Sequence, residues 1–411
     1  MKILVLTKKF PFPLKDGESL AIHGLSKSLS ELGCEVSLLA MNTSKHFFRG
    51  SKPPREMDHY REVRTVDIDN RIGAVAAAAN LLRGTSYHIS RFDVQSYHLA
   101  LRKWLEEEEF DVVQLETLYL SPYLSTIRRY STAQVVMRSH NVEHEIWQRC
   151  CQNIGFAPKR WYLRHLTRQL RDYERSQLNQ YDLLLPITQR DKEHFKRLGC
   201  RSAAYVLPIG LETVCGPPTY ESYSRQPSLH FIGSLDWLPN LEGLQWFLQQ
   251  VWPEVQRRCP HTEFHVAGRN MPHAIRQLRM KNVVIHGEVS DSCDFVSAHS
   301  ISIVPLLSGS GMRAKILEAM SLGRTVITTT VGLEGIRARN RRDLFIADTV
   351  TQFVDQIEYC VSRGPALEQV GRNAYAAFHR HYDRRVLAGK LIEQYERLLH
   401  EMQGNTTAVG R

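Results

Sequence analysis

The sequence predicts an α/β protein of two doubly wound parallel-sheet domains, and three observations lead there. The chain has 411 residues, more than one core comfortably holds, since single cores stop growing near about 250–300 residues. Short β-branched runs alternate with amphipathic helical stretches throughout, the pattern of parallel sheets built from βαβ units. The alternation breaks once, at Pro208-Ile209-Gly210, Pro217-Pro218 and Pro227, where Pro and Gly at that density mark a connection.

In order, Ile3 to Thr7 reads as a buried first strand, followed by a loop through Phe10-Pro11-Phe12-Pro13 and Asp16-Gly17. A helix with Leu20, Leu25, Leu29 and Leu32 apolar follows, with Gly33 as its stop. Further strands are expected at Glu35 to Met41, Val63 to Ile68, Asp111 to Leu115, Gln134 to Arg138, Leu183 to Ile187 and Ala204 to Leu207. Beyond the break come Leu229 to Ile232, a helix near Leu241 to Val255, then Glu263 to Ala267, Val283 to Ile285 and Ile301 to Pro305. A helix from Met312 and a strand from Thr325 to Thr329 complete the second alternation, and the tail is helical from about Ala366. The expected division is 1–208, a linker over 209–227, 228–385, and a C-terminal helix over 386–411 crossing back to the first domain.

Hydrophobic residues make up 43% and charged residues 23%, an ordinary globular composition. Met1 to Leu6 is too short for a signal-peptide core, and no window approaches the roughly 20 apolar residues of a membrane helix. Eight cysteines lie scattered without Cys-x-x-Cys spacing, which predicts reduced thiols, a cytoplasmic chain and no zinc site. The net charge of +10 suits nucleic acid, anionic lipid or a phosphorylated small molecule. An RNP-like aromatic run, zinc spacing and a basic tail are all missing from the sequence, which disfavours nucleic acid.

The most informative stretch runs from Val304 to Met320. A strand ends at Pro305, Gly309-Ser310-Gly311 turns, and a helix begins near Met312. Glycines admit a ligand close to backbone N–H groups, and a helix N-terminus adds unpaired N–H groups and a positive dipole end. Arg313 and Lys315 bring charge to the same place, so the whole suits a diphosphate. Glu318, further along that helix, is placed to accept hydrogen bonds from a ribose diol.

These residues resemble the donor-binding end of the family-4 glycosyltransferases of GT-B architecture, in the subgroup carrying Gly-Ser-Gly-Met-Arg-x-Lys-Ile-Leu-Glu-Ala-Met. The likeness continues in Thr325 to Thr329, Gly332-Leu333-Glu334-Gly335, Phe231-Ile232-Gly233-Ser234-Leu235, Trp237-x-Pro239-Asn240 and Trp252-Pro253. It extends to Ala267-Gly268-Arg269, Gly287-Glu288-Val289 with Asp291, the Pro13 to Gly17 loop, and Arg138-Ser139-His140-Asn141-Val142-Glu143. The resemblance implies two Rossmann-like domains facing a central cleft. It implies metal-independent, retaining transfer of a hexose from a nucleoside-diphosphate sugar, with no further cofactor, to a glycan or lipid-linked acceptor. Donor contacts would come from Gly233, Ser234, Arg269, Gly309, Ser310, Gly311, Met312, Arg313, Lys315 and Glu318. One departure stands out: many members carry Glu-x7-Glu, and here Ser310 occupies the first position, so only the Glu318 role carries over. Arg313 and Lys315 would then neutralise the diphosphate.

Gly17 lies after the first strand, at a carboxyl edge where parallel sheets place ligands; the resemblance sets this loop over the donor phosphates and sugar. His140 follows the strand Gln134 to Arg138 at the same edge. An imidazole there can orient or deprotonate an acceptor hydroxyl; Arg138 and Glu143 are secondary candidates. Arg160, Arg164, Arg168, Arg171 and Arg175 share one helical face, either a solvated surface or a strip for anionic headgroups of the inner membrane face.

The single Asp-x-Asp match, Asp67-Ile68-Asp69, lies far in sequence from the phosphate-binding run and reads as a solvated strand end. The first strand lacks Gly-x-Gly-x-x-Gly after it, against an NAD enzyme. Two alternatives stay open: a silent nucleotide-sugar-binding scaffold, and a nucleotide-sugar epimerase, against which the Glu318 run speaks.

Overall fold

The computed structural model describes the chain except residues 15–16, 45–46, 51–52, 70–85, 153–156, 213–215, 225, 309–311 and 410–411, and the side chains of 149–150, 152, 157–159 and 402–409. It comprises two units, Met1–Gly210 with Leu387–Arg411, and Leu211–Val386.

The first unit holds β1 (Lys2–Thr7), β2 (Glu35–Thr43), β3 (Glu62–Ile68), β4 (Val112–Leu115), β5 (Gln134–Ser139), β6 (Leu183–Pro186) and β7 (Ala203–Ala204). They form one sheet in the order β3-β2-β1-β4-β5-β6-β7, every pairing parallel. A parallel sheet is covered on both faces, so its strands are apolar on both sides. In β1 the alternation sorts the residues by face. Leu4 and Leu6 pack with Tyr97, Leu101 and Trp104, while Ile3 and Val5 pack with Leu25 and Leu29. Leu387, Ala388, Leu391 and Tyr395 of the last helix, Arg384–Val409, join that second face.

The second unit holds β8 (Leu229–Ile232), β9 (Phe264–Ala267), β10 (Val283–Gly287), β11 (Ile301–Val304), β12 (Thr325–Thr328) and β13 (Phe345–Ile346). Their order is β10-β9-β8-β11-β12-β13, again all parallel. One face packs Leu229, Phe231, Ile301 and Ile303 against Phe247, Trp252 and Phe353. The other packs Val304 and Val326 against Ile316, Leu317, Met320 and Phe378.

Several elements differ from expectation. The edge strand β13 has only two residues, too short to register as a hydrophobic run. The strand expected at Ala204 to Leu207 is regular only over Ala203–Ala204, although Tyr205 and Leu207 still donate to the carbonyls of Leu184 and Pro186. The helix expected near Leu241 to Val255 runs as Leu238–Trp246, a π-helical turn Phe247–Val251, and Trp252–Arg258. Within the Pro-rich stretch 209–227, Tyr223 is buried in the second core and its hydroxyl donates to the Gly323 carbonyl at 2.9 Å. The expectation of eight reduced thiols is corrected at Cys293, which is disulfide-bonded. Cys34, Cys151, Cys200, Cys259 and Cys360 are free thiols. Among the described residues no helix is long and apolar enough to cross a membrane.

Candidate active site

Ligands of doubly wound sheets bind beyond the strand carboxyl ends where the order reverses. In the second unit that reversal lies between β8 and β11. Gly233 and Ser234 follow β8, Gly268 and Arg269 follow β9, and the run from Pro305 follows β11. Gly309, Ser310 and Gly311 lie outside the described residues. Beyond them Met312 is half-buried, Arg313 is the N-cap of helix Ala314–Ser321, and Lys315 and Glu318 sit on that helix.

Lys315 is the centre of this group. Its Nζ donates to Asn240 Oδ1 at 2.6 Å and lies 4.8 Å from the centroid of the Phe231 ring. Burial pulls this ammonium down to about 8, with Glu318 opposing and Arg313 adding to the shift. Asn240 is itself buried, and its Nδ2 donates to the Ser234 carbonyl at 2.8 Å. One amide thus holds both the lysine and the turn after β8. A Cβ on Gly233 would stand 2.7 Å from Lys315 Nζ and 2.9 Å from Asn240 Nδ2, and one on Gly268 would meet the Gly233 carbonyl at 2.1 Å. The backbone carbonyl makes glycine a requirement at position 268, whereas at position 233 a Cβ would press on two side-chain ends.

Arg313 is 5% exposed, lies 5.7 Å from the Trp237 ring centroid, and is lowered by burial. Glu318 is exposed at the surface, yet partial desolvation raises its carboxyl against the pull of Lys315. Arg269 is exposed, and Ser234 Oγ donates to Asp236 at 2.5 Å. Two cations held beside a glycine turn and a helix N-terminus can take up a diphosphate.

In the first unit the order reverses between β1 and β4. Lys8 and Lys9 follow β1, and both face Glu18, Lys8 at 3.3 Å. Gly17 opens helix Gly17–Glu31, exposed, with nothing within 4 Å of the position a Cβ would take. His140 follows β5 and is 9% exposed. Its Nε2 lies 2.8 Å from Oε2 of Glu116, which follows β4 and is 1% exposed. Arg138 Nη1 donates to the same oxygen at 3.4 Å and to the Ala21 carbonyl at 3.1 Å. Burial alone would raise the Glu116 carboxyl; Arg138 and His140 outweigh it and hold the group below its ordinary value.

Glu143 is buried and accepts from Tyr119 Oη at 3.0 Å; burial raises its carboxyl although Lys8 opposes. His144 Nδ1 pairs with Glu174 at 2.5 Å. Sequence reasoning missed Glu116 and gave Asn240 no role of its own. Glu116 carried a signal nonetheless, a carboxylate directly after an apolar run read as a buried strand. Asp67 sits on β3, the edge strand, and accepts from Asn42 at 2.8 Å. Among the described residues no three His, Cys, Asp or Glu side chains could hold a metal ion.

The comparisons with known proteins bear on the family and the fold. Residues 16–214 match the family described as Glycosyltransferase Family 4, and residues 226–363 match Glycosyl transferases group 1. An uncharacterized 44.6 kDa protein in the cps region of Klebsiella pneumoniae is 24% identical over 410 residues, 96% of this chain and 99% of that protein. Among solved structures, sucrose-phosphate synthase from Thermosynechococcus elongatus aligns at TM-score 0.62 and 14% identity, over 98% of this chain and all of that one. Anabaena Alr3699/HepE in complex with UDP aligns at TM-score 0.61 and 14% identity, over 97% of this chain and all of that one; the same protein is also solved with UDP-glucose. With both halves matched and the fold shared end to end, the chain is a family-4 glycosyltransferase of GT-B architecture.

Proposed function

We propose that this glycosyltransferase moves a sugar from a nucleoside-diphosphate sugar to an acceptor hydroxyl in glycan or polysaccharide assembly, without a metal and with retention. The observation that carries this reading is Lys315, held by Asn240 beside the Gly233 turn and next to Arg313 at the switch point of the second sheet. The complexes of HepE with UDP and UDP-glucose support a nucleotide-sugar donor, and the cps-region relative supports polysaccharide assembly.

The diphosphate lies against Arg313, Lys315 and the turn bearing Gly233, with Ser234, Arg269 and Met312 around it and the ribose on Glu318. The acceptor oxygen bonds the anomeric carbon as the bond from that carbon to the diphosphate breaks. Fixed cations stabilise the charge that develops on the leaving group. The Gly17 loop adjoins the transferring sugar, and His140 orients or deprotonates the acceptor hydroxyl. A lipid-linked acceptor would account for the cationic face of helix Ala157–Gln177, on which Arg164, Arg168, Arg171 and Arg175 are exposed.

A thermal-shift panel with UDP, GDP, dTDP, ADP and CMP, with and without EDTA, tests the donor site. A ligand at a hundred times its Kd stabilises by about 2.7 kcal/mol. One diphosphate should stand out, unaffected by EDTA, and Lys315→Ala should weaken it about 10–100-fold, the worth of one charge-assisted contact. Silence across the panel would favour a chain that no longer uses a nucleotide sugar. A shift abolished by EDTA would overturn the metal-free reading.

A further inference from the structure

Glu116 is buried, and its carboxylate is held by side chains from β4, from β5 and from the turn after β5. Its Oε2 receives His140 Nε2 at 2.8 Å and Arg138 Nη1 at 3.4 Å, and its Oε1 receives the Gln114 amide. Gln114 Oε1 in turn accepts from Tyr395 Oη of the C-terminal helix, and Arg138 also binds the Ala21 carbonyl in the helix that Gly17 opens. A buried carboxylate without such partners would cost several kcal/mol. With all of them it is a fixed acceptor.

A carboxylate accepts only, so the His140 nitrogen facing it carries the proton. His140 Nδ1 has no hydrogen-bond partner among the described residues. In the neutral ring that nitrogen carries the lone pair.

We propose that Glu116 is the positioning residue of the acceptor side: it holds His140 in the Nε2–H tautomer and so presents the Nδ1 lone pair to the acceptor hydroxyl. This rests on the transfer reading above only for the word acceptor; the tautomer stands on the geometry alone. The same logic, a buried carboxylate fixing the tautomer of an imidazole, operates where an imidazole works as a base against a hydroxyl.

The full chain labelled with ¹⁵N-histidine decides the geometry. The His140 resonances are identified by their loss in His140→Gln, and at neutral pH Nε2 should be protonated and Nδ1 bare. The reverse tautomer, or a doubly protonated ring, overturns the proposal whether or not any variant folds. Catalysis is tested with the donor base that the nucleotide panel selects. Glu116→Gln should leave the diphosphate-induced thermal shift intact and lower kcat at least about 10-fold, the scale of a lost or misplaced base. In the His140→Gln background the same change should cost nothing further. An equal loss in both backgrounds would show a role in packing only and overturn the positioning assignment. Failure of the panel itself would instead strike the donor reading and leave the tautomer result standing.

Discussion

Gly17 is the residue whose identity the fold does least to explain. It opens a helix, carries no left-handed φ, and a Cβ there would meet nothing within 4 Å. Glycine is ordinarily a small cost at a helical position, and the proposed place of this loop beside the transferring sugar gives it a role that the fold does not. Gly17→Ala should therefore change unfolding stability by less than about 1 kcal/mol while lowering transfer at least about 10-fold. Undiminished transfer in that variant would remove the loop from the donor site. Lys315 poses the converse case, a residue whose charge depends on its burial. Burial pulls its ammonium down to about 8, so it is charged at neutral pH and loses its charge as the pH rises through that value. Gly233 after β8 leaves the room that the Lys315 ammonium occupies.

At the scale of elements, two helices make distinct claims. Helix Arg384–Val409 supplies Leu387, Leu391 and Tyr395 to the core behind β1, all nearly fully buried. Leu391→Ala should cost about 2–5 kcal/mol in denaturant unfolding. A change below about 1 kcal/mol would mean that the helix contributes little to the first unit. Helix Ala157–Gln177 shows an exposed row of arginines with Trp161 exposed beside them. Full-length protein should co-sediment with phosphatidylglycerol vesicles at low salt and be released at about 0.5 M salt, where screening is short-ranged. Replacing Arg164, Arg168, Arg171 and Arg175 by glutamine should abolish that binding. Unchanged sedimentation would assign the strip to solvation alone.

For the molecule as a whole, the second unit carries an acid-sensitive core. His230 is fully buried, with no hydrogen-bond partner on either ring nitrogen among the described residues, and packs near His299, His265 and Arg324. Burial lowers its pKa well below 6.5, and burial also brings His299 down to about 4, against its bond to the Phe295 carbonyl at 2.7 Å. The unfolded chain therefore takes up protons that the folded chain refuses. Stability is fully present above about pH 6.5 and falls as the pH drops toward 4, by a few kcal/mol in all. Thermal unfolding at pH 7.5, 6 and 5 reads this directly, and His230→Leu should flatten the slope. An identical slope in the variant would place the acid sensitivity elsewhere.

The alternation of strands and helices, the two-sheet architecture and the phosphate-suited run at Arg313, Lys315 and Glu318 were legible in the sequence, because periodicity and short motifs are local. Parallel strands buried on both faces write themselves as apolar runs; β13, two residues long, could not. The side-chain pairings within each unit were not legible. Glu116 meets His140 across 24 residues, Asn240 meets Lys315 across 75, and Tyr395 meets Gln114 across 281. No local pattern encodes such contacts. The first two follow from strand order, which sets β4 beside β5 and β8 beside β11, and the third from the packing of helix Arg384–Val409 on the sheet. The sequence alone determined which chemical groups the protein carries and on which elements. Tertiary structure decided which of them touch, because burial makes each polar side chain take the partner that packing sets within reach.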